Sequence, residues 1–147
     1  MDKIVFITGA SSGIGAGCAR KFASQGASLI LNARNVDKLN GLKEELEKQY
    51  GVKVYLLPFD VRDRKAAMVA LESLPEEWQP IDILVNNAGL VIGMDKEQEG
   101  SLDEWDIVID TNIKALLAMT RLIVPGMVER KRGHIINIGS IAGDAAY

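Results

Sequence analysis

An α/β fold built on a parallel sheet is what this sequence predicts, on three observations. Short apolar runs recur along the chain, with longer helix-like segments between them. The runs are nearly continuous in Val, Ile and Leu, which suits strands covered on both faces rather than strands with one wet face. The first run, Ile4-Val5-Phe6-Ile7, passes directly into Thr8-Gly9-Ala10-Ser11-Ser12-Gly13-Ile14-Gly15, a glycine-rich turn leading into a helix. Repeated βα units with right-handed crossovers give a doubly wound sheet of the Rossmann type.

The strands are expected at Lys3–Thr8, Ser28–Ala33, Lys53–Phe59, Ile81–Asn86 and His134–Ile138. The helices are expected at Ile14–Gln25, Val36–Tyr50, Arg62–Glu77 and Leu102–Arg130. In the second helix Leu39, Leu42 and Leu46 recur at helical spacing, with Lys43, Glu44, Glu47 and Lys48 on the opposite side. Gly26 and Gly51 stand where helix C-caps belong. Asn112 falls inside the last helical segment, where Asn is a mediocre choice unless it has a polar task. Pro125 is expected to kink or end that segment. No linker, repeat or low-complexity stretch divides the chain, so residues 1–147 are read as one domain.

Composition narrows the function. The 147 residues are 48% apolar and 25% charged, with a net charge of −3, ordinary for a globular domain. That balance predicts neither a nucleic-acid surface nor attraction to anionic lipid. The single cysteine, Cys18, excludes an internal disulfide and fits a reducing compartment. The N-terminus lacks the layout of a signal peptide, and no apolar run approaches the roughly 20 residues that cross a bilayer. A cytoplasmic protein without membrane or nucleic-acid partners is expected. His134 has no second ligand candidate near it, so no metal site is expected. Cys18 is read as a small core residue, and Met94, Met119, Met127, Trp78 and Trp105 as packing.

The glycine turn carries the chemistry. Its Gly-x-x-x-Gly-x-Gly spacing is neither the G-x-G-x-x-G fingerprint nor a P-loop. Between a first strand and a first helix, it lets backbone N–H groups approach a pyrophosphate at the helix N-terminus. Gly9, Ser11, Ser12, Gly13, Ile14 and Gly15 are therefore assigned to cofactor binding, the serines as hydroxyl donors. Between Ala27 and Val36 there is no acid to meet a free ribose 2′-OH; the second strand ends in Asn32-Ala33-Arg34-Asn35. Arg34 offers a planar cationic fork suited to a 2′-phosphate, so NADP(H) is preferred over NAD(H), with Arg34 and Asn35 at that position. The bland alternative is an exposed arginine at a strand end. Asp60-Val61 follows the third strand, where Asp60 either caps the next helix or accepts from the adenine amino group. Asn86-Asn87-Ala88-Gly89 closes the fourth strand, where two amides are expected to anchor the strand and Asn87, Ala88 and Gly89 to contact a ribose; a polar loop is the alternative, but two Asn at a buried strand end need partners. Ser140, after the fifth strand, is placed to hydrogen-bond a substrate oxygen.

With these residues in place the chain resembles the short-chain dehydrogenase/reductase family over its whole length. Thr8–Gly15 matches that family's Thr-Gly-x-x-x-Gly-x-Gly turn, Asn86–Gly89 its Asn-Asn-Ala-Gly motif, Asn112 its helix Asn and Ser140 its catalytic Ser. Leu74-Pro75-x-x-Trp78, Asn87-Ala88-Gly89-Leu90-x-x-Gly93-Met94, Met127-Val128-Glu129-Arg130 and Gly133–Gly143 are similar to the NADP-dependent 3-hydroxy acid dehydrogenases within it, a group that includes oxidisers of serine and allo-threonine.

The resemblance implies hydride transfer between a nicotinamide and a carbinol carbon of a short 3-hydroxy acid, 3-hydroxy amino acid or matching carbonyl. It implies two catalytic residues here: Asn112, holding a water in a proton relay, and Ser140, positioning the substrate oxygen. A Tyr-x-x-x-Lys pair completes that site, its phenol activated well below an ordinary pKa of about 10. Tyr147 has no following Lys and corresponds to an aromatic residue ahead of the family's Tyr. The chain is thus expected to be the N-terminal, C-terminally incomplete part of a longer enzyme that assembles as a homo-tetramer. The alternatives are a short, catalytically silent nucleotide-binding module and a family reductase acting on another carbonyl compound.

Overall fold

The computed structural model describes residues 1–93 and 95–144. Five parallel strands form one sheet: β1 (Ile4–Ile7), β2 (Ser28–Leu31), β3 (Val54–Leu56), β4 (Ile83–Asn86) and β5 (His134–Asn137). Their spatial order is β3-β2-β1-β4-β5. The chain winds outward from β1 to β3, then returns to β1's other edge for β4, so a crevice opens beyond the carboxyl ends of β1 and β4.

Alternation along the strands builds two cores, because successive side chains point to opposite faces. Val5, Ile7, Leu29, Leu31 and Val85 face α1 (Gly13–Ser24) and α2 (Val36–Tyr50), packing with Ala19, Ala23, Leu39, Leu42 and Leu46. Phe6, Ile30 and Leu84 face the other way, onto α3 (Arg64–Glu72) and α5 (Ala115–Arg130) through Ala67, Met119, Ile123 and Met127. The doubly wound α/β expectation holds. Met119, Met127 and Trp78 pack as read, Trp78 against Tyr55 with ring centroids 5.6 Å apart. Cys18 sits half-buried at the margin of the first core.

Several boundaries differ from expectation. β3 stops at Leu56, not Phe59, because Pro58 has no N–H for the ladder. Beyond it, buried Asn32 donates through Nδ2 to the carbonyls of Leu57 and Phe59 at 3.1 and 3.0 Å. α3 starts at Arg64 rather than Arg62, since Asp63 is its N-cap and accepts from the Ala66 N–H at 3.0 Å. It ends at Glu72, and Pro75 precedes a separate 3₁₀ turn at Glu76–Trp78.

The segment expected as one helix from Leu102 to Arg130 is α4 (Leu102–Ile109), a widened π turn at Asp110–Lys114, and α5. Pro125 does not end it: α5 continues to Arg130 and stops where Lys131 turns left-handed. Buried Ile123 and Met127 bracket the proline, so tertiary packing outweighs its lost backbone bond. No described helix is long and apolar enough to cross a membrane.

Candidate cofactor and substrate cleft

At the carboxyl ends of the strands lies a cleft of about 690 Å³. It is lined by Gly9, Ser11, Ser12 and Ile14 from the first turn, by Arg34, and by Asp60, Val61 and Arg62 beyond β3. Asn87, Ala88, Gly89, Asn112 and Ser140 complete it. Residues from all parts of the chain thus converge on one edge of the sheet.

The first turn is shaped for close approach. Gly9 has φ +62°, a conformation that side chains rarely adopt, and a Cβ there would lie 2.9 Å from Ala88 Cα. A Cβ on Gly15 would run into the Gly9 carbonyl and the Asn87 amide, so this turn folds back tightly on itself. Ser12 is the N-cap of α1, yet no side chain accepts from the helix's first N–H groups. Three other helices differ: Asn35, Asp63 and Ser101 each accept a cap bond at α2, α3 and α4, while α5 runs on directly from the π turn. An uncapped helix N-terminus facing a cleft presents N–H donors and a positive dipole end to an anion.

A polar staple holds the turn to β4. Thr8 Oγ1 accepts from the N–H groups of Asn87 and Ala88, both at 3.0 Å, and donates to Val85 O at 3.4 Å. Asn87 Nδ2 returns to the carbonyls of Thr8 and Gly9 at 3.2 and 2.9 Å. Asn86 donates to Thr120 Oγ1 and Asn137 Oδ1, each at 3.0 Å, tying β4 to α5 and β5. The two asparagines anchor the strand end as the sequence suggests.

Asn112 explains its own place in a helical segment. The π turn shifts it so that its side chain faces the loop after β4, where Oδ1 accepts from Leu90 N–H and Nδ2 donates to Leu90 O, both at 2.8 Å. Such single-turn widenings are frequent at functional sites. Ser140 caps the 3₁₀ turn Ile141–Gly143; its Oγ accepts from Ala142 N–H at 3.1 Å, and its own hydroxyl hydrogen has no acceptor among the described residues.

The wall of the cleft beyond β2 and β3 is charged. Asp60 caps no helix; its carboxylate accepts from the Arg62 N–H at 2.9 Å and from the Arg62 guanidinium at 2.8 to 3.2 Å. Those guanidinium bonds hold the Asp60 carboxyl below the usual carboxylate range despite partial burial, with the Arg62 charge and then that of Arg34 adding to the effect. Arg34 is exposed in the cleft wall and forms no ion pair among the described residues. Asn35, expected at the cofactor, instead turns its Oδ1 to Lys38 N–H as the α2 cap, at 3.1 Å, and does not line the cleft. Gly13 and Gly15 shape the turn without lining the cleft. The sequence gives no sign of Arg62's role beyond an arginine two places after Asp60, and it marks Thr8 only as the start of the glycine turn, not as the staple to β4. Met94 and Tyr147 lie outside the described residues.

A family model for short chain dehydrogenases matches residues 3–147. The chain belongs to the short-chain dehydrogenase family. The NADP-dependent 3-hydroxy acid dehydrogenase YdfG of Escherichia coli K12 is 49% identical over 144 residues, covering 98% of this chain and 56% of that protein. A crystal structure of serine dehydrogenase from Escherichia coli superposes with a TM-score of 0.91 at 49% identity, covering 98% of this chain and 65% of that one. The closed form of serine dehydrogenase, complexed with NADP+, superposes with a TM-score of 0.90 at 48% identity, covering 98% and 56%. This short-chain dehydrogenase chain therefore spans little more than half the length of the curated relatives it matches.

Proposed function

We propose that residues 1–147 form one NADP(H)-binding domain of an oxidoreductase acting on a short 3-hydroxy acid, a 3-hydroxy amino acid or the matching carbonyl compound. The observation that carries this reading is the uncapped start of α1 opening on the same cleft as Arg34, which forms no ion pair among the described residues. The glycine turn fits a pyrophosphate, since any Cβ at Gly15 would fill the space where the backbone folds back. The dinucleotide-binding 3-hydroxy acid and serine dehydrogenases similar to this chain support the substrate class. When bound, the nicotinamide supplies or accepts the hydride.

Each residue then has a task. Gly9, Ser11, Ser12 and Ile14 cradle the pyrophosphate on a turn that Gly13 and Gly15 shape, and Arg34 takes the 2′-phosphate, with Asn35 bracing the start of α2 beside it. Asp60 and Val61 border the adenine, and Asn87, Ala88 and Gly89 border a ribose. Ser140 donates to the substrate oxygen. Asn112 spends its amide on Leu90, so its contact with a proton-relay water falls to its main chain within the widened turn. The protein works in the cytoplasm as a homo-oligomer, a tetramer, whose contacts use exposed apolar positions such as Ile109, Ile113 and Leu117, one turn apart on α4, the π turn and α5.

Exchanging Arg34 for Asp tests the reading. Arg34→Asp should weaken NADPH binding by about 10- to 100-fold, the scale of lost charge-assisted hydrogen bonds, and NADH binding far less. Fluorescence titration with both cofactors reads the two affinities. Equal losses for both would sink the assignment of Arg34 to the 2′-phosphate.

A further inference from the structure

We propose that Arg62 is a positioning residue for cofactor discrimination, occupying Asp60 so that Arg34 stays free for a 2′-phosphate. The proposal rests on the NADP(H) reading above.

Asp60, Arg34 and Arg62 line the same cleft. A carboxylate in that position is a liability for a site that takes a phosphate: it repels the phosphate and competes with it for the nearest guanidinium. Arg62 removes both problems. Its backbone N–H and its Nε reach Asp60 Oδ1 at 2.9 and 3.2 Å, while Nε and Nη2 reach Oδ2 at 3.2 and 2.8 Å. Both carboxylate oxygens are thus committed within two residues of chain, a local geometry that needs no distant element to hold it. Arg34 lies near enough for its charge to act on Asp60, yet forms no ion pair with it.

Two other roles fit the ion pair less well. A surface salt bridge alone would stabilise little, since the pair is about one-third exposed, with side-chain exposures of 30% and 32%. A direct phosphate contact from Arg62 would bring the dianion against the very carboxylate that Arg62 holds. The counter-ion role uses all three charged groups where they stand.

The test uses the whole protein and two small probes, adenosine 2′,5′-bisphosphate and adenosine 5′-monophosphate, titrated by calorimetry. The ratio of their affinities isolates the 2′-phosphate and cancels any effect on adenine common to both. Arg62→Ala should cut that ratio by about tenfold, the scale of one charge-assisted interaction, and Arg62→Lys should cut it less. The decisive variant adds Asp60→Asn to Arg62→Ala, which should restore most of the ratio by removing the competing carboxylate. No restoration in the double variant would overturn the proposal in favour of a direct Arg62–phosphate contact. An unchanged ratio in Arg62→Ala would reduce the pair to surface decoration and overturn it equally. If the unaltered protein binds both probes alike, the NADP(H) reading itself fails, an outcome distinct from either.

Discussion

Asn112→Ala is the perturbation with the most to say about how this site is held. The side chain makes two bonds to one residue, Leu90, at 2.8 Å each, and both groups are part-buried. Truncation leaves an N–H and a C=O of Leu90 without partners, each worth about 1 kcal/mol when water can partly compensate. Against that loss of about 2 kcal/mol stands a gain of about 0.5 kcal/mol from alanine's better helix propensity. The expected net destabilisation is about 1.5 kcal/mol, from those hydrogen-bond and propensity scales. Urea unfolding reads it as a lower midpoint at unchanged slope. Amide exchange at Leu90 should quicken more than in β1, because the damage is local to the loop after β4. Asn112→Asp keeps the acceptor for Leu90 N–H but sets an oxygen against the Leu90 carbonyl, and should be no better than alanine. A loss under about 0.5 kcal/mol, the size of an ordinary surface substitution, would refute the claim that this amide holds the loop.

Two further outcomes follow from the same geometry. Gly15→Ala should abolish binding of adenine dinucleotides and lower the melting temperature, because its Cβ meets the Gly9 carbonyl, a backbone atom that cannot step aside; a variant with native affinity would mean that the turn is loose. Asp60 has a folded-state pKa depressed below its ordinary value, so its contribution is present above that ordinary value and lost as pH falls through the depressed one. Carbon-13 NMR of its carboxyl should show titration at the acidic end, moving back up in Arg62→Ala; no movement would detach Arg62 from the shift.

The sequence was legible where its signals are local. The short apolar runs, the Leu39–Leu42–Leu46 stripe and the Thr8–Gly15 turn are patterns within a few residues, and the structure reproduces each. α3 starts two residues later than the sequence predicts because only the backbone path shows that Asp63, and not Asp60, accepts from Ala66. Pro125 does not end α5 for a related reason: a propensity argument sees the lost N–H but not Ile123 and Met127 buried on either side. Asn35 was placed at the cofactor by adjacency to Arg34, whereas its side chain is committed to the start of α2.

By itself the sequence determined the order of elements, the glycine turn, and the absence of an acid where Arg34 stands. These depend on periodicity and on the conformational range of single residues, which the chain carries in one dimension. Tertiary structure alone decided the contacts that turn those pieces into a site. Thr8 meets Ala88 across 80 positions and Asn112 meets Leu90 across 22, and no local pattern encodes such meetings. They arise because a parallel sheet brings the ends of distant strands to one edge, where unsatisfied backbone groups must find partners.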